Sequence, residues 1–146
     1  MAVGPVARDS ASAEFFDGTR RGVLLLRRRS GTGEYLDPST VPTPSEEADL
    51  EYVPAAGGGR VVSWAALHSR REGGEPVRTV IGIVELDEGL WWWSRLVGVD
   101  PDADLSDLRV KVDFVPSGPE PHHEVMPVFR PAEGSPWHEG GRDEYR

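Results

Sequence analysis

The chain has 146 residues, 38% hydrophobic and 28% charged, with a formal net charge of −9. That is the size of one domain with one modest core, and its negative field repels polyphosphate, which argues against a nucleic-acid partner. It contains no cysteine, so disulfides, thiolate-ligated zinc and a thiol nucleophile are excluded.

Thirteen prolines and seventeen glycines break up long helices and favour short strands joined by turns. Arginine supplies every basic residue except Lys111. Residues Met1–Ser12 are small and polar, with no apolar run after their charges. They are expected to be flexible or partner-dependent and not a signal peptide. No apolar stretch approaches membrane-spanning length, so the expected location is the cytoplasm.

Ala13–Arg21 predicts a short helix anchored by Phe15 and Phe16. Glu14 sits near its positive end and Arg20 and Arg21 near its negative end, as the macrodipole prefers. Val23–Arg28 is an apolar run turning basic and predicts a strand. Gly31–Ser45 is rich in Gly, Pro, Ser and Thr and reads as a loop. Leu50–Pro54 is short and strand-like, and Gly57–Gly59 is a flexible break. Strands then follow in series. The first is Arg60–Ser69. The second, Arg78–Leu86, turns through Asp87–Gly89 into Leu90–Val97, the clearest hairpin signal in the chain. Val110–Val115 alternates at period two, with Val110, Val112 and Phe114 on one face. Val125–Arg130 is the last strand, and Pro131–Arg146 reads as a polar, loose tail. Short strands at this spacing predict a small closed barrel.

Several of these segments, taken in order, resemble a known family. Phe15-Phe16-Asp17-Gly18 leads into Leu24-Leu25-Leu26-Arg27-Arg28. Asp49-Leu50-Glu51-Tyr52-Val53 precedes Gly59-Arg60-Val61. Val84-Glu85-Leu86-Asp87-Glu88-Gly89 is followed by Arg95-Leu96-Val97-Gly98-Val99-Asp100-Pro101. Val110-Lys111-Val112-Asp113-Phe114 and Pro127-Val128-Phe129-Arg130-Pro131 complete the series. From about Phe15 to Ala132 the chain resembles the acyl-CoA-associated family built from an N-terminal helix, a rubredoxin-like zinc ribbon and a C-terminal OB-fold barrel. Members of that family are small partner subunits of thiolase-like enzymes. The resemblance implies a mainly β fold: a five-stranded Greek-key OB barrel over 55–132, after a helix and ribbon segment over 13–54, flanked by flexible ends over 1–12 and 133–146. The family's zinc ligands align with Arg29, Thr32, Pro42 and Ser45, none of which binds zinc through a thiolate. The ribbon is therefore expected to be degenerate and metal-free, and Ser30–Glu47 to be looser for it.

The same resemblance implies a non-catalytic accessory subunit. Its partner would be a thiolase-like acyltransferase, condensing enzyme or side-chain aldolase in lipid, steroid or polyketide metabolism. The expected assembly is a heterotetramer or larger, without nucleic acid or membrane. No cofactor is expected to bind directly, although a CoA thioester could be shared with the partner. The alternative is a stand-alone acyl-CoA-binding protein or enzyme that uses the barrel mouth.

The most unusual feature is Trp91-Trp92-Trp93. On a strand, Trp91, Trp93 and Arg95 share one face, and Leu90, Trp92, Ser94 and Leu96 the other. The leucine-bearing face suits the core, which leaves Trp91 and Trp93 outside, where paired tryptophans beside an arginine favour an interface. Packing under the helix or a tail is the plainer reading. With Phe15 and Phe16, these residues make the expected partner surface. Arg70, Arg71 and Arg78, with Arg95, could form a basic mouth for CoA phosphates, or serve as solvated loop charge. His68 is the strongest single acid–base candidate, because histidine ordinarily titrates near neutrality, yet no nucleophile–base motif accompanies it. Asp100-Pro101-Asp102-Ala103-Asp104 imitates a calcium loop, but Leu105 and Lys111 stand where that loop needs Gly and Glu, so a solvated turn is expected. His122-His123 on an extended chain would point to opposite faces and fail to chelate one ion.

Overall fold

A computed structural model describes residues 6–10, 12–70 and 73–132. The first helix, α1, spans Ala13–Arg20, with Glu14 in its first turn and Arg20 in its last. It stops at Gly22, whose φ of +75° lies in the left-handed region open to glycine. Strand β1 (Leu25–Arg29) pairs antiparallel with β2 (Leu50–Pro54), Leu26 opposite Val53. The segment between them is mostly loop. It carries an isolated bridge from Tyr35 to Arg28 and, within the stretch read as a loop, a four-residue helix, α2 (Pro44–Glu47), started by the Thr43–Glu46 capping box.

Five strands form the closed barrel: β3 (Gly58–Arg70), β4 (Pro76–Leu86), β5 (Trp91–Leu96), β6 (Arg109–Pro116) and β7 (Val125–Pro131). Their order is β3-β4-β5-β7-β6, closing back on β3. Each sequence-predicted strand is present, shifted by at most two residues at either end. The β4–β5 turn forms as expected, with Gly89 at φ +91°. The barrel's interior is apolar. Val61, Val84, Leu86, Leu96, Leu105, Val110 and Phe129 are almost fully buried, and Leu24 and Leu26, beside and within β1, join the same cluster. Barrel and N-terminal segment therefore share one core.

Two features of β3 govern the site. A bulge shifts its register between Val61 and Ser63. Inward residues are odd-numbered before it (Gly59, Val61) and even-numbered after it (Trp64, Ala66). The bulge is fastened by the Asp107 N–H, which donates to the Val61 carbonyl at 3.1 Å. Gly59 is required by close approach, since a Cβ there would meet the Glu85 carbonyl oxygen at 2.6 Å.

The N-terminal segment departs from expectation. Residues 6–8 do not hang free but fold against the β6–β7 loop. The Val6 N–H donates to Ser117 Oγ at 2.9 Å, and the Glu124 N–H donates to the Val6 carbonyl at 2.9 Å. The Glu124 carboxylate, 3% exposed, receives Arg8 Nε at 2.7 Å and Arg20 Nε at 3.1 Å. Hydrogen bonds from Arg8, then from Arg20, hold its carboxyl below the usual range. The tail expected to be loose, 133–146, lies outside the described residues. Among the described residues no helix is long and apolar enough to cross a membrane.

Candidate functional site

Three consecutive tryptophans on β5 place their side chains by the alternation of an extended strand. Trp92 turns inward, half-buried, and stacks on Phe15 of α1 with ring centroids 5.8 Å apart. Trp91 and Trp93 turn outward and are 53% and 69% exposed. Their cross-strand partners on β4 are Glu85 and Ile83, and Arg95 lies opposite Ile81. The Trp91 indole N–H donates to Glu85 Oε2 at 3.3 Å, which fixes one edge of that ring. The outer face of β4–β5 is thus an apolar patch bounded by one carboxylate and one guanidinium.

The same strand borders a groove. β5 and β7 run parallel and pair only at Leu96–Phe129. Beyond that point they are joined by Ser94 Oγ donating to the Pro127 carbonyl at 3.4 Å. An open cavity of about 840 Å³ follows this seam, lined by Phe15, Ile81, Trp92, Arg95, Met126 and Val128 among others. Most of its wall is apolar, with Arg95 as its cation.

Of the expected partner residues, Trp91, Trp93 and Arg95 lie together on the outer face. Phe15 faces the groove. Phe16 is only 7% exposed and packs edge-on against Phe15 at 5.3 Å. It belongs to the core and not to a docking surface, because α1 lies on the barrel and turns this ring inward.

The expected basic mouth does not form as one cluster. His68 and Arg78 face each other across β3–β4, on the opposite side of the ribbon from Arg95. Arg78 makes a two-pronged ion pair with Asp102 at 2.6 and 3.1 Å, and this holds the Asp102 carboxyl below the usual range. Arg70 donates to the Gly74 carbonyl at 2.8 Å, and Arg71 lies outside the described residues. His68 is exposed.

Asp100, Asp102 and Asp104 form the expected turn over buried Leu105 and Leu108, with Asp104 accepting from Ser106. His122 and His123 sit in a turn and not in an extended segment. Their rings therefore lie side by side, 4.4 Å apart, instead of pointing apart. His123 Nδ1 accepts the Glu120 N–H at 3.1 Å. Among the described residues no three metal-ligating side chains converge. Sequence reasoning missed the cluster of Glu124 with Arg8 and Arg20. Its partners are 116 and 104 residues apart in sequence, and nothing local signals the contact.

The geometry defines a small OB-fold barrel with an exposed aromatic outer face. Residues 52–115 match the family model described as ChsH2, C-terminal OB-fold domain. A chain of the solved Ltp2-ChsH2(DUF35) aldolase superposes with a TM-score of 0.71 at 28% identity, over 86% of this chain and 98% of that one. The probable enoyl-CoA hydratase alpha subunit of Thermomonospora curvata is 36% identical over 87% of this chain and 39% of its own length. The 3-oxo-4,17-pregnadiene-20-carboxyl-CoA hydratase alpha subunit of Mycobacterium tuberculosis is 28% identical over 75% of this chain and 34% of its own length. The chain thus spans little more than a third of these two curated relatives.

Proposed function

We propose that this chain is a non-catalytic accessory subunit that docks on, and supports, a thiolase-like acyl-CoA enzyme in lipid or steroid metabolism. The observation that carries this reading is the exposure of Trp91 and Trp93 on an ordered strand, beside Arg95. Two large indoles left in water on a rigid surface have the composition of an interface hot spot. The similarity to a chain of an aldolase complex and to the alpha subunits of CoA-thioester hydratases supports the choice of partner class. The thiolase-like identity of the partner rests on the family resemblance and is the finer part of the proposal. In this reading the chain binds no cofactor of its own, and a CoA thioester, where it reaches the chain, is shared with the partner. Condensing enzyme, acyltransferase and side-chain aldolase remain equal candidates for that partner.

A second reading has one observation in its favour. The apolar groove of about 840 Å³ with Arg95 at its wall has the volume of a ligand site, so the chain could bind an acyl-CoA alone. Co-expression with a thiolase-like protein encoded beside it, followed by mass measurement of the eluted particle, separates the two. The accessory role predicts a hetero-complex lost in Trp91→Ala/Trp93→Ala. A particle of this chain alone, titrating acyl-CoA with quenching of tryptophan fluorescence, would establish the second reading instead.

A further inference from the structure

The outer face of β4–β5 does not end at the barrel. β3 pairs with β6 only from Gly58 to Arg60, and β4 pairs with β5 only from Val80 to Glu85. Both strands continue past those limits, as far as Arg70 and from Pro76, paired only with each other among the described residues. Over Leu67–Arg70 and Pro76–Thr79 they form a two-stranded arm. Because of the bulge after Val61, the outward residues of β3 are Ser63, Ala65 and Leu67, opposite Ile83, Ile81 and Thr79. Val77 continues that row on β4. This outer side is therefore mostly apolar, with Ser63, Thr79 and Ser69 as its hydroxyls, and it is continuous with Trp91 and Trp93. Its reverse side carries His68, Arg70 and Arg78. From Glu85 to Val77 the strip runs about 26 Å, at ~3.3 Å per residue.

Charge separates the two sides further. Among the described residues, eight arginines are in ion pairs. Arg21, Arg27 and Arg70 donate to backbone carbonyls instead. Arg95 is the one described arginine whose guanidinium meets neither a carboxylate nor a carbonyl. It stands exposed on the apolar strip of a chain with nine more acids than bases. An uncompensated cation there is complemented by a carboxylate from outside.

We propose that the partner interface is this whole strip, Trp91 and Trp93 together with Ile83, Ile81, Ala65 and Leu67, and that it fits an apolar protein surface bearing a carboxylate opposite Arg95. The proposal rests on the accessory-subunit reading and gives it an extent and a charge. Two further points favour it. A two-stranded ribbon is marginal in water unless its apolar face is covered. A strip of this length also matches the water-excluded centre of an ordinary interface more closely than a pair of rings does. Single-stranded nucleic acid, which uses the corresponding sheet face of other OB folds, is disfavoured by Glu85 against Trp91 and by the net charge.

The test measures affinity for the co-expressed thiolase-like partner in variants first shown by circular dichroism and melting to be folded. Ala65→Asp, on an exposed site, and Leu67→Asp each weaken the complex at least tenfold, although neither lies opposite a tryptophan in the strand pairing. Arg95→Glu does the same, and Arg95→Lys recovers much of the loss. Val41→Asp, at an exposed apolar residue off the strip, changes nothing. Affinity that falls in Trp91→Ala/Trp93→Ala but not in Ala65→Asp, Leu67→Asp or Arg95→Glu overturns the extended strip and leaves the accessory role standing. Absence of any complex with the wild-type chain overturns both. Salt-sensitive quenching of tryptophan fluorescence by oligo-dT would assign the strip to nucleic acid and overturn the proposal.

Discussion

The two faces of β5 carry the same residue type to opposite ends. Trp92 is half-buried, stacked on Phe15 and in contact with the core, while Trp91 and Trp93, one step to either side, are mostly in water. Period two alone decides which is which. The inner ring closes α1 onto the barrel and contributes to stability. The outer rings are more than half exposed and so bury less area in the fold, and the proposed docking role gives them a use beside Arg95, which no described carboxylate meets. A substitution on one face should therefore move a different measurement from a substitution on the other.

The sharpest way to break that contrast is to truncate the inner ring. Trp92→Ala is expected to cost about 2 to 3 kcal/mol, below the range for a fully buried tryptophan because the ring is half-exposed. The thermal midpoint should fall by roughly 5 to 15 °C for a domain of this size, and the partner should still bind at temperatures where the variant is folded. Trp91→Ala/Trp93→Ala should do the reverse, with a midpoint close to wild type and the complex lost. If both sets of variants destabilised equally, the outer tryptophans would be structural and the docking role would lose its main support.

Next in size is the buried carboxylate of Glu124, which joins the N-terminal segment, α1 and the β6–β7 loop. Glu124→Gln keeps the shape and removes the charge that Arg8 and Arg20 meet. Hydrogen bonds to charged groups contribute about 1.5 to 3 kcal/mol together with their pairing, and the lower end applies because both arginines are about a third exposed. The pH dependence has a definite sign. The folded-state pKa lies below the ordinary glutamate value of 4.5, with Arg8 the main cause. The contribution is therefore full above about pH 4.5 and is lost as pH falls through the lower folded-state value. Melts across pH 7 to 3 should show wild type and Glu124→Gln separated at neutral pH and converging in acid. A constant separation would mean that the charge is not what holds the segment.

Why Glu124 went unread while β5 did not is a matter of range. The tryptophan faces, the β4–β5 hairpin and β2 follow from neighbours two residues apart, and the sequence carries that signal openly. The bulge after Val61 does not show in Val61-Val62-Ser63-Trp64, since either parity gives a plausible strand. It is fastened by Asp107, more than forty residues away, and it decides whether Leu67 or His68 shares the face of Trp93. The basic mouth failed for the same reason. Arg78 and Arg95 look alike in a list of cations, but strand parity puts them on opposite sides of the sheet, and Asp102 occupies one of them. Phe16 was misplaced because a helix of eight residues is too short to reveal its buried stripe by periodicity.

The smallest expected effect concerns the segment between β1 and β2, where the family resemblance places a zinc ribbon and this chain has no cysteine. Its ties are polar. Thr43 Oγ1 accepts the Glu46 N–H at 3.3 Å, Glu46 Oε1 accepts the Thr43 N–H at 3.0 Å, and Glu46 Oε2 meets Arg29 at 3.3 Å. The Arg27 guanidinium donates to the Thr40 carbonyl at 2.8 Å, and Leu36 is buried beneath the loop. A capping box of this kind is worth about 1 kcal/mol, but α2 buries no residue, so its opening need not be felt by the barrel. Thr43→Ala is accordingly expected to shift the global melt by less than about 0.5 kcal/mol while raising amide exchange across residues 43–49 severalfold. A matching loss of protection in β3 and β4 would show that the segment and the barrel open together, through the core they share at Leu24 and Leu26. Exchange confined to the segment would instead make it a locally stable insert, held by its own caps and ion pairs.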